Sequence, residues 1–200
     1  MKNDKGFSMV ELLTASVLTA FVAASFYATF FAARNEMVQQ NNYFKTNRSA
    51  RYAVDRIARD VKEAVGVVAT QGGYTTGNST LVLRLPSIDA NGEPTNIASQ
   101  FDYVIYHIDS NDSTKLRRRL DVLNGTSQRE GGIDRTNMLA ADKVQAVLFT
   151  NGGTGLGSIA SGTLPTLKYL NVQITARDRT LWMNQNSDID ADLMLRNNIS

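Results

Sequence analysis

The chain has 200 residues, 42% of them hydrophobic and 20% charged, and its 21 Lys+Arg against 19 Asp+Glu leave a formal charge of +2. That balance gives no electrostatic case for a dedicated nucleic-acid binder, and the absence of cysteine excludes disulfides, thiolate metal sites, iron–sulfur clusters and a cysteine nucleophile. A single histidine, His107, leaves any Ser/His/Asp arrangement resting on one imidazole, so catalysis is not expected.

The mean hydropathy of −0.23 hides a sharp asymmetry. From Phe7 to Ala33 the only formally charged residue is Glu11. A helix through that segment is about 40 Å long, enough to cross a hydrocarbon core of about 30 Å. Lys2 and Lys5 stand before it, partly offset by Asp4, and this bias holds the N-terminus in the cytoplasm and sends the rest across. A secretory signal peptide would have a shorter apolar region and a small-x-small cleavage site, which Val22-Ala23-Ala24 imitates. A plain membrane anchor would leave Glu11 unexplained, because an acidic side chain deep in a bilayer costs about 2.5 to 3.5 kcal/mol.

The residues around that glutamate, Lys5-Gly6-Phe7-Ser8-Met9-Val10-Glu11-Leu12-Leu13, closely resemble the processing signal of type IV pilins and type II secretion pseudopilins. The resemblance implies that a prepilin peptidase cuts between Gly6 and Phe7, methylates Phe7 and leaves the apolar helix in place. It also makes Glu11 the family's buried glutamate. Phe7 and Glu11 are four apart on one helix, so the carboxylate can lie near the chain's own α-amino group or, in a filament, reach the amine of a neighbouring subunit.

No glycine or proline occurs between Gly6 and Gly66, so one long helix is predicted, with an apolar half over 7–33 and a second half over 34–66. After an Asn- and Gln-rich stretch, Ala50, Val54, Ile57, Val61 and Ala64 recur at three and four, an amphipathic pattern. Arg51, Asp55, Arg59 and Glu63 line the opposite, solvated face, and Gly66 is the expected C-cap. The run Ser49-Ala50-Arg51-Tyr52-Ala53-Val54-Asp55-Arg56-Ile57-Ala58-Arg59-Asp60-Val61-Lys62-Glu63-Ala64 adds a looser resemblance to W-type minor pilins and J-type minor pseudopilins.

Residues 67–200 read as a β-rich head. Strands are predicted at Val67 to Thr70, Leu81 to Leu85, Phe101 to Ile108, Leu116 to Val122, Val144 to Phe149 and Leu167 to Ala176. Turn-forming stretches separate them, among them Asp89-Ala90-Asn91-Gly92 and Asn151-Gly152-Gly153-Thr154-Gly155. The Phe101 and Leu116 segments should pair as an antiparallel hairpin. The fold class is therefore α+β, and the resemblance implies the pilin lollipop, with residues 1–6 as its leader peptide.

Candidate sites in the head are weak. Lys115, Arg117, Arg118 and Arg119 could touch DNA phosphates, but strand alternation puts Arg117 and Arg119 on one face and Arg118 on the other. Asp188, Asp190 and Asp192 look like the start of a calcium loop, yet Leu193 stands where that loop needs glycine and no glutamate closes it. Alternating carboxylates on the outer face of a strand, with Ile189, Ala191 and Leu193 inward, is the preferred account. Gly152 to Gly157 lacks the Gly-Lys-Ser/Thr of a phosphate loop and reads as a turn. His107 is expected to be structural, and Trp182 either an anchor for a partner or core.

The sequence thus points to a non-enzymatic minor pilin or pseudopilin of a type IV pilus or type II secretion pseudopilus, initiating or capping the filament. The implied partners are the prepilin peptidase, other pilin or pseudopilin subunits, the assembly platform of the bacterial inner membrane, and membrane lipid. No cofactor and no small-molecule substrate is expected, and the head should be periplasmic. The competing expectation is a membrane-anchored or secreted binding domain such as an adhesin, including a DNA-uptake role; it requires neither Glu11 nor a cut after Gly6.

Overall fold

The computed structural model describes residues 8–95, 100–122, 127, 129, 138–180 and 183–195, with side chains throughout except at 178–187. One uninterrupted helix, α1 (Met9–Glu63), runs for 55 residues, as the absence of internal glycine and proline requires. The chain divides into two compact units, Met1–Asn42 and Tyr43–Ser200, and α1 contributes to both.

The first unit is helical from Met9 onward. Its large apolar side chains, from Met9 through Phe31, are all exposed. Thr14, Ser16, Thr19, Ser25 and Thr29 each return their hydroxyl to a carbonyl one turn back, so these five hydroxyls are satisfied within the helix.

The second unit is built on antiparallel pairs. Its strands are β1 (Gly66–Val67), β2 (Thr70–Gln71), β3 (Tyr74–Thr75), β4 (Leu81–Pro86), β5 (Phe101–Ile108), β6 (Leu116–Val122), β7 (Met138–Ala141), β8 (Val144–Asn151), β9 (Thr154–Gly155), β10 (Tyr169–Thr180) and β11 (Met183–Met194). One sheet has the order β1-β4-β5-β6-β7, a second β11-β10-β8-β9, and β2-β3 is a separate hairpin. Ala50, Ala53, Ile57 and Val61 of α1 are fully buried and share one apolar core with Leu83 and Val104 of the first sheet and Phe149, Val172 and Ile174 of the second. Each large aliphatic side chain buried there contributes about 1.5 to 3 kcal/mol. The α+β content is that expected, and β5 and β6 pair as the predicted hairpin.

Four local differences have physical causes. Gly66 is not a helix cap. The helix ends when the Val65 amide donates to the Arg84 carbonyl at 2.8 Å, and Gly66 already belongs to β1, where a Cβ would lie 3.0 Å from the Pro165 carbonyl. The predicted strand from Val67 to Thr70 breaks in two, because β2 turns back on β3 through Gly72 (φ 58°) and Gly73 (φ 84°). The predicted strand at Leu167 starts only at Tyr169, since a 3-10 turn over Leu164–Thr166 carries Pro165. β7 was not expected: Met138-Leu139-Ala140-Ala141 has little β-branched character and becomes a strand by pairing with β6.

Candidate functional site

The first turn of α1 is closed by two reciprocal hydrogen bonds. The Ser8 amide donates to Glu11 Oε2 at 2.9 Å, and the Glu11 amide donates to Ser8 Oγ at 3.3 Å. This is a capping box, with a serine at the N-cap and a glutamate three residues on, and it satisfies two donors that a helix start would otherwise leave open. The one acidic side chain of the apolar stretch is therefore held at the helix N-terminus, where the helix dipole favours negative charge. Gly6 and Phe7 lie outside the described residues. Among the described residues α1 alone is long and apolar enough to cross a membrane, and none of its most apolar window is buried.

The model of the prokaryotic N-terminal methylation motif matches residues 1–27. The chain carries the N-terminal signal of type IV pilins and pseudopilins. No curated protein and no solved structure matches it. A pilin-type signal of this kind implies processing by prepilin peptidase and assembly with other pilins, and the apolar helix behind it fits a membrane-anchored, single-pass protein.

Beyond the pilin-type signal, the head residues singled out in the sequence are dispersed. Arg117 pairs with Asp109 at 2.8 Å, Arg119 lies 5.7 Å from the Tyr74 ring centre, and Arg118 points into the core. The basic run is thus split between two faces, with one of its members buried. Asp188, Asp190 and Asp192 are exposed, while Ile189, Ala191 and Leu193 pack against the core. Asn171 Nδ2 on β10 donates to Asp190 Oδ1 at 2.8 Å and to Asp192 Oδ1 at 2.9 Å, so an amide bridges these two carboxylates. Among the described residues no group of three or more acidic or histidine side chains is placed to hold a metal ion.

His107 lies under the β2–β3 hairpin, its ring 4.5 Å from that of Tyr74, with Nδ1 3.0 Å from the Ile108 carbonyl. The glycine-rich stretch is a two-residue turn, Gly152 (φ 55°) and Gly153 (φ 82°), between β8 and β9. Its later glycines make room for Asn78, whose Oδ1 accepts the Gly157 amide at 3.0 Å. Trp182 lies outside the described residues.

Two buried polar groups escaped the sequence reading. Asp60, on the core side of α1, accepts the Tyr106 hydroxyl at 2.5 Å and the Arg118 guanidinium at 2.7 and 3.2 Å. Burial first, and the Asp60 carboxylate second, hold the Tyr106 phenol protonated well above its ordinary range. Asp102, fully buried in β5, accepts from the hydroxyls of Ser87 and Ser127 at 3.1 and 2.5 Å. Arg129 lies 3.4 Å from the Asp102 carboxylate and reaches Glu63 of α1 and the Pro86 carbonyl. The one available signal was positional: Asp60 follows Ile57 at the spacing that the apolar residues keep, and Arg118 sits between Leu116 and Leu120 on the inward side of β6.

Proposed function

We propose that this chain is a minor pilin or pseudopilin, a non-enzymatic subunit that inserts in the inner membrane, is cut between Gly6 and Phe7, and co-assembles through the apolar half of α1 with its β-rich unit in the periplasm. The observation that carries the reading is the match of residues 1–27 to the methylation motif, continued by an unburied apolar helix with Glu11 as its only acidic residue before Ala33. In this reading Glu11 is the electrostatic registration point: a buried carboxylate is tolerated when an amine answers it, so a neighbouring subunit whose N-terminus arrives in register is favoured and a gap is penalised. The looser likeness of residues 49–64 to W- and J-type minor subunits supports a place at the initiating or capping end of the filament. Lipid and the assembly platform are the remaining partners.

The test is mass spectrometry of the N-terminal peptide from membranes of cells with and without prepilin peptidase. An N-methylated Phe7 terminus that depends on the peptidase is the expected result. A chain beginning at Met1 in both strains would make the helix a plain anchor, and one beginning near Ser25 would make the head a secreted binding domain.

A further inference from the structure

β11 closes one side of the second sheet, paired with β10 alone, and its other side has no strand beside it among the described residues. The remaining sheet borders are short: two residues in β1 and β9, four in β7. β11 runs for 12 residues, and an open strand of that length presents a row of backbone donors and acceptors on which another chain can pair.

Its side chains say what kind of chain. Asp188, Asp190 and Asp192 face outward on alternate residues, about 6.6 Å apart along the strand, and none has a cationic partner among the described residues. Met194 continues the row, 67% exposed, with Tyr169, 58% exposed, opposite it on β10. Two copies of β11 laid side by side, with Ile189, Ala191 and Leu193 kept on the core side, would set carboxylate against carboxylate, a destabilising cross-strand pairing. A strand with lysine or arginine at every second position would meet the same row with opposite charges. We propose that the open side of β11 is a docking site for an extended basic segment of a different protein, one with Lys or Arg on alternate residues and an apolar residue where it reaches Met194. The backbone ladder supplies adhesion and the three carboxylates supply choice of partner. This proposal is independent of the pilin reading, since no part of it uses α1 or the processing signal.

The experiment uses the full chain in a non-ionic detergent and labelled nine-residue peptides alternating lysine with valine and ending in leucine, with binding read by fluorescence anisotropy. The alternating peptide should bind at least tenfold more tightly than a block-scrambled peptide of the same composition. Backbone N-methylation of one alternate set of its residues should weaken binding tenfold or more, and methylation of the other set should not, because only one side of the added strand faces β11. The triple change Asp188→Ser, Asp190→Ser and Asp192→Ser should also cost at least tenfold. Equal binding of the scrambled peptide, indifference to both methylations, or no saturable binding would each overturn the proposal, and the methylated pair decides it on unaltered protein should the triple variant fold poorly. Self-association of the unaltered chain through β11, abolished by the triple change, would overturn it too.

Discussion

Asp60 of α1 and Arg118 of β6, 58 positions apart in the chain, form a buried two-point ion pair, with Nε donating to Oδ2 at 2.7 Å and Nη2 to Oδ1 at 3.2 Å. Because Tyr106 of β5 also donates to Asp60, one carboxylate on the helix ties together two adjacent strands of the first sheet. A charged residue at an inward position of β6 costs desolvation, and the geometry offsets that cost by pairing it side-on and adding a third donor. The pair therefore sets the rotational position of residues 57–61 against the sheet more than it adds net stability.

Removal of one partner leaves the other buried and unanswered. Asp60→Ala should destabilise the β-rich unit by about 3 to 5 kcal/mol, and Arg118→Ala by a similar amount. The double change Asp60→Leu with Arg118→Met should cost far less than the sum, because no buried charge remains. Denaturant unfolding of the four proteins in micelles measures this, and additive losses would show that the two side chains act separately.

The Tyr106 phenol predicts an alkaline limit on stability. Its folded pKa is raised, so the unfolded chain loses this proton first as pH climbs past about 10, and stability falls from there upward. Below the unfolded value the contribution is fully present. Ultraviolet titration of the folded protein should show one of the seven tyrosines still protonated after ordinary phenols have ionised, and Tyr106→Phe should remove that late step. A titration in which Tyr106→Phe deletes a step near pH 10 would contradict the buried contact with Asp60.

The unbroken helix, the β5–β6 hairpin, whose two strands have the predicted bounds, and the outward row Asp188, Asp190 and Asp192 were all legible because each rests on local periodicity or a local breaker. The processing signal was legible as a contiguous motif, and the match over residues 1–27 bears out that resemblance. What was not legible depends on partners distant in the chain. Asp60 was not singled out, because its donors Tyr106 and Arg118 lie on β5 and β6, 46 and 58 positions away. Gly66 had the composition of a cap, but the Arg84 carbonyl, 19 residues beyond Val65, took the amide that ended the helix. β7 exists through its pairing with β6 and has little propensity of its own.

The glycine-rich stretch after β8 gives a prediction in which neighbouring glycines behave differently. A Cβ on Gly155 would overlap Asn78 Oδ1, the acceptor for the Gly157 amide, whereas nothing lies within 4 Å of a Cβ on Gly153. Gly155→Ala should therefore cost about 1 to 3 kcal/mol through overpacking and displacement of Asn78. Gly153→Asn should cost less, since asparagine tolerates the positive φ of 82° better than most side chains. Thermal unfolding of both variants checks the order, and equal losses would place the strain in the backbone turn instead of at Asn78.

Ser8 and Glu11 allow two roles of one carboxylate to be separated. Glu11→Ala removes the side chain that accepts the Ser8 amide and also the charge proposed to meet a neighbouring N-terminus; Ser8→Ala removes only the bond from the Glu11 amide to the hydroxyl. Loss of an N-cap serine costs about 0.5 to 2 kcal/mol locally, which frays a helix start without unfolding a helix of 55 residues. If filament registration rests on charge, Ser8→Ala should insert in the membrane and enter filaments at close to the normal level, while Glu11→Ala should insert equally well and enter at a tenth of that level or less. Both are read by quantifying tagged subunit in sheared filaments against total membrane subunit. Equal defects would assign the assembly role to the cap, and normal incorporation of Glu11→Ala would remove the registration role altogether.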